Sequence, residues 1–371
     1  MLEPYASIGE ATAATQALEQ TFGYDELGRL TTISTPAQSW TIGYDANGNR
    51  TQVTLNGTSR AYTTSATSNR LEQISNPVRS MSYDAAGNTL TDTAMYSSAV
   101  YSTDNRLTAI TKAGQTTSYS YDAGGQRVSK SNAAAPAQAR LFVYGSSPEL
   151  LEEYAQDGSA IQEVVWLDGQ PLIVLGKANS NEVFFSYSDH LGAPRILVDR
   201  SGAEHWRWIA EPFGSTAAEP APSGLAAVAF PLRFPGQYFD GETGLNYNYF
   251  RDYDSTSGRY VQSDPIGSEG GINPYSYVGG NPFSYIDPTG EVGIPGAIYG
   301  GIAGGIGGYI SGGWKGAIYG AGAGALVGAV NPWASHWAGG AAGAAAASLL
   351  GQGAGNYATG KSLSDREPIC E

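Results

Sequence analysis

Cysteine is almost missing from this chain: Cys370 is the only one in 371 residues. No intrachain disulfide can form, which excludes a cysteine-stapled scaffold. Charge is also scarce. Asp, Glu, Lys and Arg make up 15% of the sequence, against about 25% in an average globular protein. What charge there is leans acidic, with 34 Asp plus Glu against 20 Lys plus Arg and a net charge of −14. Phosphate neutralisation needs a basic face, so this balance argues against a nucleic-acid partner. The three histidines (190, 205 and 336) have no metal-ligand spacing, and there is no P-loop, Cys/His cluster or Ser-His-Asp set. The expectation is therefore no cofactor and no metal. Residues 1–20 lack the basic start and apolar run of a signal peptide, so export is expected to use a non-classical route.

Glycine, tyrosine and apolar residues are plentiful: 50 Gly, 24 Tyr and 41% hydrophobic residues, enough to build a substantial core and to speak against disorder throughout. The composition shifts along the chain. Residues 21 to about 130 are rich in Thr, Ser, Tyr and Gly, and residues 141–290 are more apolar and aromatic. From Glu291 onward, 39 of 81 residues are Gly or Ala, and Lys315 is the only charged residue between Val292 and Gly360. These shifts divide the chain into an N-terminal segment (1–20), a repeat region (21–135), a second region (141–290) and a Gly/Ala-rich tail (291–371). Ser131 to Ala139 reads as a linker or long loop, and Gly214 to Ala229 as an exposed insertion.

The repeat region has a period near 20 residues. Tyr24-Asp25 with Gly28 recurs as Tyr44-Asp45 with Gly48, Tyr83-Asp84 with Gly87, and Tyr121-Asp122 with Gly124-Gly125. Weaker copies start at Tyr62 and Tyr101 and keep Asn69-Arg70-Leu71 and Asn105-Arg106-Leu107. Asp at the first turn position and Gly at the fourth suit a type I turn. The flanks alternate Thr, Tyr, Val, Leu and Ile with polar residues, as half-buried strands do. One such hairpin is too small to stand alone, so the copies should stack into a continuous sheet with the Tyr rings between neighbours.

These residues resemble the YD repeats of the RHS family. The resemblance implies a mainly β fold, in which stacked hairpins form a curved, shell-like sheet. The second region is similar to the RHS repeat-associated core domain. The residues that carry the likeness are Ser188-Asp189-His190-Leu191-Gly192, Arg233-Phe234-Pro235-Gly236-Gln237-Tyr238, Tyr249-Phe250-Arg251-Asp252-Tyr253-Asp254, Gly258-Arg259-Tyr260 and Asn281-Pro282. Two Asp-Pro-x-Gly units, Asp264 to Gly267 and Asp287 to Gly290, complete it. Either unit by itself is an ordinary type I turn. Brought together in a dry site, two such carboxylates share a proton, and one can activate water while the other polarises a carbonyl. In the family the pair forms an aspartyl-protease-like site that cuts its own chain just after the second unit, helped by an upstream Arg. Carried over, Asp264 and Asp287 are the catalytic pair and Arg251 the supporting cation. The cut falls between Glu291 and Val292. The family usually has Leu where this chain has Glu291, and a site shaped for an apolar side chain disfavours a charged one. A working and a silent site therefore both stand.

The tail has Gly at every fourth position from Gly296 to Gly328, a glycine-zipper pattern that places small residues on one face of a helix. Nine such glycines cost an isolated helix roughly 7–9 kcal/mol, so the pattern demands a partner. Two helices broken near Gly312-Gly313 and a third from Ala334 to Leu350 are expected. A packed helical plug or pre-toxin region, a membrane-inserting segment and disorder all stand as readings.

The resemblance implies a C-terminal piece of an RHS-type bacterial toxin, a cage whose cargo is its own C-terminal segment. It also implies a secreted or cell-surface location after a cytoplasmic stage, an immunity protein, secretion machinery and no external substrate. Six repeats are few for a closed shell, which fits an orphan or truncated copy. The alternative is a carbohydrate-binding surface module, since Tyr-rich sheets can stack on sugar rings.

Overall fold

The computed structural model describes residues 20–145, 149–167, 169–177, 182–291 and 294–295. The helices expected in the Gly/Ala tail, and Val292, lie outside the described residues.

The fold is mainly β and shell-like. Eight antiparallel strands, from Thr21–Tyr24 to Thr89–Asp92, follow one another in sequence order across a first sheet. Eleven more, from Ser98–Tyr101 to Glu204–Arg207, form a second. The second sheet runs without a break through the compositional change near residue 135, because Arg127–Asn132 pairs with Arg140–Tyr144. The stretch between them holds a short 3-10 turn, Pro136–Gln138. A third sheet of four short strands, Tyr238–Asp240, Leu245–Asn248, Arg251–Asp254 and Arg259–Tyr260, lies against the inner face of this wall. Every residue of its last three strands is buried.

The repeated turns form as their residue types dictate. In the first copy the Gly28 N–H donates to the Asp25 carbonyl (2.9 Å), and Asp25 Oδ1 accepts the N–H groups of Leu27 (3.0 Å) and Arg29 (2.9 Å). Gly28, Gly48, Gly87 and Gly125 all sit at positive φ, where a Cβ is strained. The weak fifth copy uses Asn105 at φ 58° and the Ser102 hydroxyl in their place. Asn is the non-Gly residue that tolerates this conformation best. The repeat tyrosines tie neighbouring copies together: Tyr44, Tyr83, Tyr101 and Tyr121 donate their hydroxyls to the carbonyls of Leu30, Leu71, Thr89 and Leu107, at 2.7–3.0 Å.

The expected strict alternation breaks after each turn. A bulge beside the Tyr shifts the register, so the first and fourth residues of the following strand both face inward: Leu30 with Ile33, Leu71 with Ile74, Leu107 with Ile110. One extra residue on one strand accounts for this, since it turns the next side chain to the other face. At the equivalent inward positions, other copies carry charge: Thr89 with Asp92 and Arg127 with Lys130. These buried charges meet the third sheet. Arg79 bridges Asp92 and Asp254, and Arg127 and Lys130 both reach Asp240. The insertion at 214–229 is largely exposed, although Ala218 and Val228 pack on the main core cluster, which centres on Trp206, Trp208 and Phe234.

Candidate functional site

Arg251 begins the third strand of the inner sheet and is 2% exposed. Its guanidinium lies over the Tyr260 ring, 3.7 Å from the centroid. From there it reaches both aspartyl turns. Nη1 is 3.0 Å from Asp264 Oδ2, and Nη2 is 3.4 Å from Asp287 Oδ2. The fold therefore brings Asp264, Asp287 and Arg251 together, out of bulk solvent. One guanidinium thus contacts two buried carboxyls at once.

The two carboxyls have different surroundings. Asp287 is met by donors on both oxygens. Oδ1 accepts the backbone N–H groups of Gly290 (2.9 Å) and Glu291 (3.0 Å), and Oδ2 accepts the Tyr260 hydroxyl (2.7 Å). Asn248 Nδ2 donates to the Asp287 carbonyl (2.9 Å) and to the Tyr260 oxygen (2.8 Å). Asp264 accepts the Ile266 N–H at Oδ1 (3.1 Å). Burial pushes its carboxyl above the usual range, Arg251 opposes the shift, and Asp287 and Glu291 add to it.

The segment after Asp287 folds back on the site. Ile286 pairs with Ile294 and Tyr285 with Pro295, so the chain returns to the short strand that leads into Asp287. Arg251 Nε donates to the Gly290 carbonyl. Gly290 sits at φ 74°, and a Cβ there would lie 2.4 Å from the Asn248 carbonyl oxygen, so this position requires glycine. Gly270 marks the other side. A Cβ at Gly270 would lie 2.4 Å from Asp264 Oδ2 and 3.1 Å from the Glu291 carbonyl oxygen. The Glu291 carbonyl and the Asp264 carboxyl thus flank one point in space. The Glu291 side chain is half-buried, and burial followed by the charge of Asp287 pushes its carboxyl up.

Sequence reasoning did not single out Tyr260, Asn248 or Gly270. Tyr260 stood inside a family-like segment without a role, and nothing local marks the other two.

The teneurin YD-shell family model matches residues 8–274, more than half of the chain. The chain belongs to the teneurin YD-shell family. The match takes in Arg251 and Asp264 and stops short of Asp287. Among curated relatives, the chain is 37% identical over 150 residues to toxin protein Tse5 of Pseudomonas aeruginosa, covering 39% of this chain and 10% of that protein. It is 30% identical over 201 residues to double-stranded DNA deaminase toxin A of Burkholderia cenocepacia, covering 48% and 14%. The chain thus spans only a small part of these relatives' length. The Photorhabdus luminescens Tc holotoxin pore shares the YD-shell fold, with a TM-score of 0.58 at 22% identity over 74% of this chain and 15% of that one. A TcdB2-TccC3 crystal structure without its hypervariable C-terminal region gives 0.59 at 24% identity over 73% and 15%. The chain is thus a YD-repeat protein similar to RHS-type polymorphic toxins, and the described residues are a YD-shell module.

Proposed function

We propose that this YD-shell module encloses its own C-terminal segment and cuts the chain once, between Glu291 and Val292, with Asp264 and Asp287 as an aspartyl pair and Arg251 as the cation that holds them. The observation that carries this reading is the single guanidinium of Arg251 shared by both carboxyls, with the Glu291 carbonyl oxygen lying beside Asp264.

The chemistry balances with these groups and one water. The water oxygen attacks the Glu291 carbonyl carbon while Asp287 takes a water proton. Asp264, favoured in its acid form by burial, gives its proton to the carbonyl oxygen. As the tetrahedral intermediate collapses, the C–N bond breaks, the Val292 nitrogen leaves with the proton held by Asp287, and one hydroxyl of the intermediate returns its proton to Asp264. The products are a new carboxyl group on the Glu291 main chain, which ionises in water, and a Val292 amine. Glu291 in place of an apolar residue is accommodated as its neutral acid, which its raised pKa favours. Both shifts point the same way: the competent protonation state is favoured as pH falls, so processing should slow as pH rises through the raised Asp264 pKa. Delivery as a toxin part, an immunity protein and secretion machinery follow from the relatives named as toxins and belong to this same proposal.

The test is the intact mass of the purified full chain incubated between about pH 5 and 8 (the range where maximal protein stability usually falls). A break after Glu291 is expected in the wild type, faster at the acidic end. Asp264→Asn and Asp287→Asn should stay whole. So should Gly270→Ala, whose new methyl would fill the space between Asp264 and the Glu291 carbonyl. A wild-type chain that remains full length throughout, or an Asp287→Asn chain cut as fast as wild type, would refute the reading.

A further inference from the structure

Among the described residues, two buried arginines elsewhere in the molecule have no carboxylate in contact with them. Arg50 opens a strand of the second repeat, and Arg259 lies on the last strand of the inner sheet; each is more than nine-tenths buried. Both line one small cavity where the repeat wall meets the inner sheet, together with Tyr44, Gly258, Asn273 and Ser276. Among the described residues neither forms an ion pair with a carboxylate. Arg259 donates Nη1 to Asn49 Oδ1 (3.0 Å) and Nη2 to the Asn69 carbonyl. Arg50 lies on the Phe213 ring, 4.0 Å from the centroid, and its buried Nη2 has no hydrogen-bond partner. That nitrogen packs against Gly258, 2.1 Å from where a Cβ would stand. Glu211 and Asp45 act on the two arginines through charge but from outside contact distance, and both accept hydrogen bonds elsewhere. Glu211 spends Oε2 on the Phe213 N–H (2.8 Å) and Oε1 on the Ser215 N–H (2.6 Å), and Asp45 accepts from Asn47 and Asn49.

A buried charge without a counter-charge is costly, and a guanidinium does not escape by losing its proton. Burial presses the Arg259 pKa down and the charge of Arg50 adds to this, whereas the surrounding tyrosines and Glu211 hold the Arg50 pKa up against its own burial. The cavity is small, with room for a single small occupant. A water molecule would leave the charge standing. A monatomic anion neutralises a cation and accepts hydrogen bonds from any direction.

We propose that this cavity is a halide site, filled by chloride held between Arg50 and Arg259. The ion would pin the second repeat to the inner sheet, joining with one counter-charge two parts of the chain that no carboxylate links at this point. The site is separate from the aspartyl pair, so the inference stands whether or not the chain cuts itself.

The deciding experiment is crystallisation of the full chain in sodium bromide, with diffraction measured at the bromine absorption edge. An anomalous peak in the cavity between Arg50 and Arg259 is expected. A cavity without anomalous signal overturns the proposal. In solution, the melting temperature should rise by about 2–4 °C for each tenfold increase in chloride above its dissociation constant, measured against sodium gluconate at the same ionic strength. Arg50→Gln should flatten that dependence. Equal melting of the wild type in both salts at every concentration also counts against the site.

Discussion

Asp252 is one residue away from Arg251, yet among the described residues no cation forms an ion pair with it. It is fully enclosed, its N–H donates to Gln262 Oε1 (2.8 Å) and its Oδ2 accepts from Gln262 Nε2 (2.7 Å). Burial pushes its carboxyl from 3.8 up to about 6. A raised acid pKa means that the folded state holds the proton more tightly than the unfolded chain does. The associated stability is fully present below about pH 4, is lost as pH rises towards 6, and is absent above that. Converted at 1.36 kcal/mol per unit, the ionised Asp252 costs the fold on the order of 3 kcal/mol at neutral pH. Asp252→Asn should therefore stabilise the protein at pH 8 by an amount of that order and bring no gain at pH 4, as read from urea unfolding at both pH values. Equal effects at the two pH values would contradict this. The residue scale is also where the sequence was most informative. Arg251, Asp264 and Asp287 stand in motifs, and the fold brings them together. Asn248 and Tyr260 reach Asp287 from 39 and 27 residues away, and neither residue type is rare enough in this chain to draw attention.

The hairpin was legible as an element because its determinants are local. Asp at the first turn position and Gly at the fourth set the backbone, and the spacing of the Tyr residues set the period. The bulge was not legible. It depends on how the Tyr backbone pairs across the hairpin, and it moves Arg127 and Lys130 to the inner face. There Arg127 meets Asp240 through Nη1 (2.5 Å) and Nη2 (3.0 Å), with Lys130 Nζ at 2.9 Å from the same carboxylate. These pairs join residues more than 100 positions apart, so no local pattern announces them. Breaking one should be expensive, because it strands a buried partner. Arg127→Met should lower stability by about 3–5 kcal/mol, and adding Asp240→Asn should recover part of the loss. Urea midpoints of the two variants test this, and a double variant weaker than the single one would show that the ion pair is not the source.

At the scale of the whole molecule, the change in composition near residue 135 marks a change in side chains rather than a break in the sheet. The wall continues across it, and the inner sheet packs on both sides. The aspartyl pair, its Arg and the Glu291 carbonyl all come from one chain and meet inside it. Processing should therefore be first order, with a rate unchanged by a hundredfold dilution. An Asp287→Asn chain mixed with excess wild type should stay whole. Fragment yield followed by mass over both series gives the answer, and cutting of the variant by its neighbour would place the reaction between molecules.

The charged inner face has one more implication, for synthesis. Arg127 and Lys130 leave the ribosome long before their shared partner Asp240 does. Until that acid arrives, the unfinished wall presents hydrated cations where a finished one is dry. A nascent chain with such a face has little incentive to collapse on itself or to adhere to another, so these residues act first as solubilisers and only later as fasteners.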